Sequence, residues 1–117
     1  MTIKVKILKE NIDTKVINGI RYNVNAKGDL YTKNKNGQWH SFNDMPAIIR
    51  SNGSKYWYKD GYLHRDNDKP AVIRADGTKA WFIDGDIHRY SDEPAIIYPN
   101  GAKKWYSHGE QIPEPGK

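Results

Sequence analysis

A chain of 117 residues is the size of one domain, and with 37% hydrophobic residues and a mean hydropathy of -0.91 it can build only a thin core. The absence of cysteine excludes a disulfide framework, a thiolate metal site and thiol catalysis, and no run approaches the ~18 apolar residues of a membrane-spanning helix. The net charge of +5 resides in residues 1–39, which hold eight Lys/Arg against three Asp/Glu, whereas residues 40–117 hold eleven of each, so the later residues lack the basic bias of a nucleic-acid platform.

The chain begins "MTIKVKILKE", which alternates apolar residues with lysine and has no apolar h-region of a signal peptide. This predicts a soluble protein of the cytoplasm, the host cell's cytoplasm if the gene is viral, with no integral membrane association. Ile3, Val5 and Ile7 fall on one face of a strand whose other face carries Lys4 and Lys6, as suits an exposed sheet edge. "VINGIRYNV" reads as an Asn-Gly hairpin. Residues 1–39 are therefore expected to form a β cap on the segment that follows. The end of this cap, "NGQWH" (36–40), looks like the tail of a degraded repeat.

From His40 the sequence repeats with a period of 24 residues, as units 40–63, 64–87 and 88–112. In register stand His40, His64 and His88; Asp44, Asp68 and Asp92; Ala47, Ala71 and Ala95; Gly53, Gly77 and Gly101; and Trp57, Trp81 and Trp105. Residues 113–117 are expected to be a flexible tail, and cap and repeats to form one compact domain. Within each unit "SNGS", "ADGT" or "PNGA" centres a hairpin, and "KDGY", "IDGD" or "SHGE" turns the chain again. Helix is disfavoured because Gly, Pro and Asn-Gly interrupt every window with a 3.6 period.

The expected fold is thus all-β, an antiparallel meander of two or three strands per unit. The Asn-Gly and Asp-Gly pairs predict two-residue type I′ turns, which make Val72 face Trp81, Ala71 face Phe82, Ile73 face Ala80 and Arg74 face Lys79. Ile48 then lies beside Trp57 and Ile96 beside Trp105, with Tyr58, Phe82 and Tyr106 joining Ala47, Ala71 and Ala95 on the other face.

The repeated residues read more readily as scaffold than as chemistry. Histidines in successive units stand roughly 10 Å apart across strands spaced about 4.8 Å, too far to share one metal, so no metal and no cofactor is expected. Each Asp is expected to close an Asx turn before a Pro that starts a strand. No paired catalytic carboxylates, nucleophile elbow or phosphate-binding loop is found, which predicts a protein without enzymatic activity. The candidate contact residues are instead basic or variable. Arg50/Lys55, Arg74/Lys79, and Lys103 with Lys104 form an expected row at the hairpin ends, while Tyr62, Arg65, Arg89 and Tyr98 stand where the units differ.

The pattern "G-x-K-x-W-[YF]-x-x-G-x-[LI]-H" following "P-A-[IV]-I-x-x-[DN]-G" resembles the divergent MORN-repeat class, including MORN-variant repeats of bacteriophages, large DNA viruses and bacterial toxin-antitoxin loci. The resemblance covers residues 40–112. It implies a single-sheet array of stacked hairpins used as a binding surface, here three 24-residue units plus the N-terminal β cap. The implied function is a protein-protein interaction module that inhibits or sequesters a partner protein, as a phage-encoded inhibitor of a host factor or defence system, or as an antitoxin-like neutraliser. Two other classes stay open: nucleic-acid binding through the N-terminal lysines and hairpin-end residues, and a sponge for a small ligand such as a nucleotide. An uncovered sheet edge could also pair two copies into a homodimer.

Overall fold

The computed structural model describes residues 13–116; the strand expected around Ile3, Val5 and Ile7, with Lys4 and Lys6, lies outside them. The described residues form β1 (Thr14–Ile17), β2 (Ile20–Val24), β3 (Leu30–Tyr31), β4 (Ile48–Ile49), β5 (Lys55–Tyr56), β6 (Tyr58–Lys59) and β7 (Tyr62–Leu63). They continue with β8 (Val72–Ile73), β9 (Lys79–Ala80), β10 (Phe82–Ile83), β11 (Asp86–Ile87), β12 (Ile96–Ile97), β13 (Lys103–Ser107) and β14 (Glu110–Ile112). Ten of these strands make one sheet in the order β1-β2-β3-β4-β5-β8-β9-β12-β13-β14, and β6-β7 and β10-β11 form two separate hairpins. The fold is therefore all-β, an antiparallel meander of stacked hairpins around one large sheet. No helix among the described residues is long and apolar enough to cross a membrane.

Tryptophan is where the chain leaves the large sheet for a side hairpin. The N–H groups of Trp57 and Trp81 donate to the carbonyls of Ala71 and Ala95 at 2.7 and 2.8 Å, and their own carbonyls accept from His64 and His88 at 3.1 and 3.0 Å. Each Trp thus bonds the following hairpin with one backbone group and its own side hairpin with the other. Trp105 lies within the uninterrupted β13, which pairs with β12 on one side and β14 on the other. Strand β14 forms even though Gln111 and Ile112 depart from the Leu63-His64 and Ile87-His88 pattern. The side hairpins stack in turn, because Gly61, Gly85 and Gly109 donate to the carbonyls of Trp39, Leu63 and Ile87 at 2.9, 2.8 and 2.9 Å.

The two kinds of Gly-containing turn differ in a way that corrects the expected register. Asp60-Gly61, Asp84-Gly85, His108-Gly109 and Asn18-Gly19 have positive φ at both residues, as two-residue type I′ turns require. At Asn52-Gly53, Asp76-Gly77 and Asn100-Gly101 only the glycine has positive φ. Here Gly77 donates to Arg74 and Arg74 donates to Thr78, both at 2.9 Å, which is a type I turn closed by a glycine bulge and makes a three-residue loop. The Asp76 carboxylate accepts from Thr78 N–H at 2.8 Å, as the Asn52 and Asn100 side chains do from Ser54 and Ala102 at 2.9 Å each.

The extra loop residue slides each pairing by one position. Val72 faces Ala80 and not Trp81, Ile73 faces Lys79 and not Ala80, and Arg74 bonds Thr78 and not Lys79. Likewise Ile48 pairs with Tyr56 and Ile96 with Lys104, rather than with Trp57 and Trp105. Because side chains alternate between faces, the tryptophans join the alanines: Ala47, Ala71 and Ala95 are wholly buried and Trp57 and Trp81 are buried beside them. The small alanines leave room for indoles that each remove about 200 Å² from water, on the order of 5 kcal/mol of gross burial per ring.

At the other end of the sheet Tyr22 is fully buried and its hydroxyl donates to the Pro46 carbonyl at 2.6 Å, which ties β2 to the segment entering β4. Burial pushes its phenol up to about 12.

Candidate partner-binding surfaces

At the junctions between hairpins an aspartate, a tryptophan and an arginine recur as one assembly. Asp68 and the preceding Asn67 both adopt positive φ, 56° and 64°, which brings the Asp68 carbonyl to the Trp81 indole N–H at 3.0 Å. Arg89 then lies on the indole, its guanidinium carbon 3.8 Å from the ring centroid. It donates to both Asp68 oxygens, at 2.9 and 3.2 Å, and to the Pro94 carbonyl at 3.1 Å. Asp44, Trp57, Arg65 and Pro70 repeat this geometry 24 residues earlier, with distances of 2.9 and 3.2 Å to the Asp44 oxygens. Lys69 adds a third contact to Asp44 at 2.9 Å.

The arginine hydrogen bonds hold the Asp44 carboxyl down to about 2, and the Arg89 contacts lower Asp68 in the same direction. The expectation of Asx turns at these aspartates is thereby corrected. Their carboxylates accept from an arginine of the next hairpin, and the Asx turns belong to Asn52, Asp76 and Asn100 at the loops. Arg65 and Arg89, singled out as variable contact residues, are largely spent on these internal contacts and show only 13% side-chain exposure each.

The junction histidines serve the side hairpins. Nδ1 of His40, His64 and His88 accepts from the backbone N–H of Asp60, Asp84 and His108 at 3.0, 3.0 and 2.9 Å. An acceptor Nδ1 places the proton of the neutral ring on Nε2. In His64 that nitrogen meets the Asp66 carboxylate at 2.8 Å, whereas in His88 it is buried with no partner among the described residues. Among the described residues no three His, Asp or Glu side chains are grouped to hold a metal ion.

The remaining candidate residues divide between the two faces of the sheet. Register places Arg50, Ser54, Arg74, Thr78 and Tyr98 in one row, with Arg50 and Arg74 exposed and Ser54 and Thr78 buried between them. Next to this row opens a groove of about 260 Å³ lined by Tyr56, Val72, Phe82 and Ile96 together with Arg74 and Tyr98. Lys104 belongs to the same face, its Nζ 5.7 Å from the Tyr98 ring centroid. Lys55, Lys79 and Lys103 occupy the opposite face, each across from an isoleucine of β4, β8 or β12. The expected single row of basic pairs is therefore split by the same one-residue slide that moved the tryptophans.

Arg50 sits 3.7 Å from Asp29, whose carboxylate also accepts from Ser51 N–H at 2.8 Å and is held below its usual range chiefly by that bond. Tyr62 is 63% exposed and lies against Gly85, where an added Cβ would come within 3.0 Å of its ring. Sequence reasoning missed Tyr90, 58% exposed on the junction loop, whose ring packs edge-on to His88 at 4.4 Å. Its signal was available as an aromatic residue where the other units carry Phe42 and Asp66.

No protein-family model matches this chain, and comparison with curated proteins and with solved structures gives no match.

Proposed function

We propose that this chain is a MORN-like repeat array of three 24-residue units behind an N-terminal β cap, and that it is a non-enzymatic module that binds and sequesters or inhibits a partner protein. The observation that carries the reading is the groove of Tyr56, Val72, Phe82 and Ile96 flanked by the row of Arg50, Arg74 and Tyr98. Exposed arginine and half-buried tyrosine beside an apolar depression are residue types that anchor protein interfaces, and a sheet already fixed by its ladder loses little conformational entropy on association. The setting suggested by the resemblance is a phage-encoded inhibitor of a host factor or defence system, or an antitoxin-like neutraliser.

The test is affinity capture from host lysate, with and without nuclease, using the parent chain, Arg74→Glu and Lys79→Glu. A stoichiometric protein that survives nuclease, is lost with Arg74→Glu and is retained with Lys79→Glu supports the reading. Recovery of nucleic acid alone, or equal loss with both variants, rejects it. Binding carried by phosphate contacts would also weaken steeply with salt.

A further inference from the structure

Among the described residues the Asp–Trp half of this assembly is built three times but completed by an arginine only twice. Trp105 donates its indole N–H to the Asp92 carbonyl at 2.9 Å, as Trp57 and Trp81 do to Asp44 and Asp68 at 2.9 and 3.0 Å. Ser91 and Asp92 have φ of 64° and 58°, the same left-handed pair as Asn67 and Asp68 at 64° and 56°. The acceptor half is thus formed to the same plan. The register of Arg65 and Arg89 continues to Pro113, which has no guanidinium to offer.

The consequences are visible at both acceptor groups. Trp57 and Trp81 are 5% and 7% exposed, whereas Trp105 is only partly buried. Among the described residues no lysine or arginine pairs with Asp92, and the adjacent Glu93 adds a second negative charge at the rim of the same cavity. Arg89, which also lines this end, is already engaged with Asp68. Asp92, Glu93, Trp105 and Ile112 border a cavity of about 200 Å³, with room for a planar guanidinium.

We propose that this end of the sheet is a receptor for an arginine side chain of a partner protein, with the guanidinium lying on Trp105 and forking onto the Asp92 carboxylate. The two internal junctions define the occupant. Where the same three-part geometry is filled, the filler is an arginine stacked at 3.8 Å and bonded to both carboxylate oxygens. A lysine ammonium cannot be planar on the ring and bidentate on the carboxylate at once, so the receptor discriminates between the two cations. Asp92 lies apart from the Arg50–Arg74–Tyr98 row, so this inference stands or falls independently of the surface proposed above.

The experiment is a titration of the full ¹⁵N-labelled chain with N-acetyl-arginine amide, and in parallel with N-acetyl-lysine amide, at constant ionic strength. The indole N–H resonances are followed, with those of Trp57 and Trp81 as internal controls. The expected result is a saturable shift of the Trp105 indole with the arginine probe, at least fivefold weaker apparent affinity for the lysine probe, and at least fivefold weakening by Asp92→Asn. No Trp105 shift, equal shifts at Trp81, equal response to lysine, or indifference to Asp92→Asn would each overturn the proposal.

Discussion

Arg89 rests flat on Trp81, 3.8 Å from the ring centroid, while its Nε holds the Asp68 carboxylate at 2.9 Å, so one side chain joins two consecutive hairpins by stacking and by charge. Replacing it with lysine keeps the charge but loses the fork and the planar contact. Charge-assisted bonds contribute about 1.5–3 kcal/mol and an aromatic-cation contact about 0.5–2, but Asp68 is 60% exposed and solvent screens part of this. Arg89→Lys is therefore expected to lower unfolding free energy by about 1–2 kcal/mol, read from the urea midpoint at unchanged slope. A loss no larger than that of Lys79→Ala on the open sheet face would show the contact to be incidental.

Tyr22 ties the first hairpin to the rest of the sheet through one hydroxyl, bonded to the Pro46 carbonyl at 2.6 Å in a fully buried setting. Tyr22→Phe leaves that carbonyl without its partner and should cost about 1–3 kcal/mol. Alkali provides a second readout. The phenol is raised to about 12, above the value near 10 of an unfolded tyrosine, so the unfolded chain deprotonates first. Stability is then whole below about pH 10 and falls as pH rises from there to about 12, and the decline should be shallower in Tyr22→Phe.

Much of this architecture can be read from spacing alone, because a period of 24 residues with Gly, Trp and Asp in register demands one local structure used repeatedly. The register could not be read from Asn-Gly and Asp-Gly alone, since that pair suits both a two-residue type I′ turn and a type I turn with a glycine bulge. Pro99 held the deciding signal. At the first loop position its fixed φ suits the second residue of a type I turn, whereas the type I′ reading puts it in the strand, where its missing N–H would break the ladder. Ser51 and Ala75, at the same position, donate N–H to Asp29 and to Ser54 Oγ at 2.8 and 2.9 Å, a bond Pro99 has no need of. The arginine junctions were hidden for another reason: Arg65 and Asp44 are 21 residues apart, and nothing local to either names the other.

Acid should loosen the first junction through Asp44. Its carboxyl is held at about 2, mainly by hydrogen bonds from Arg65, against an unfolded value near 3.9. A lowered carboxylate contributes stability that is present above the unfolded value and lost as pH falls from about 4 toward 2. Since the Asp44 side chain is 44% exposed, the contribution is expected at about 1 kcal/mol rather than the full shift. Asp44→Asn should be less stable than the parent at neutral pH and should show a flatter stability profile below pH 4. Parallel profiles for the two proteins would mean that Arg65 does not discriminate between the charged and neutral side chain.

The last junction histidine responds at milder pH. His88 accepts the His108 N–H through Nδ1 at 2.9 Å, and its Nε2 is buried with no partner among the described residues. The His108 ring stacks on it at 4.1 Å. Protonation would put a charge in this enclosed space and remove the acceptor, so the folded chain favours the neutral ring. Its pKa is lowered chiefly by burial, then by His108. The unfolded histidine takes its proton near pH 6.5, so stability is whole above that value and declines as pH drops below it toward the depressed folded value. Nuclear magnetic resonance titration should find His88 protonating below 6.5, and His108→Gln should move it only part of the way back. A complete return to the ordinary value would make the neighbouring ring, and not burial, the principal cause.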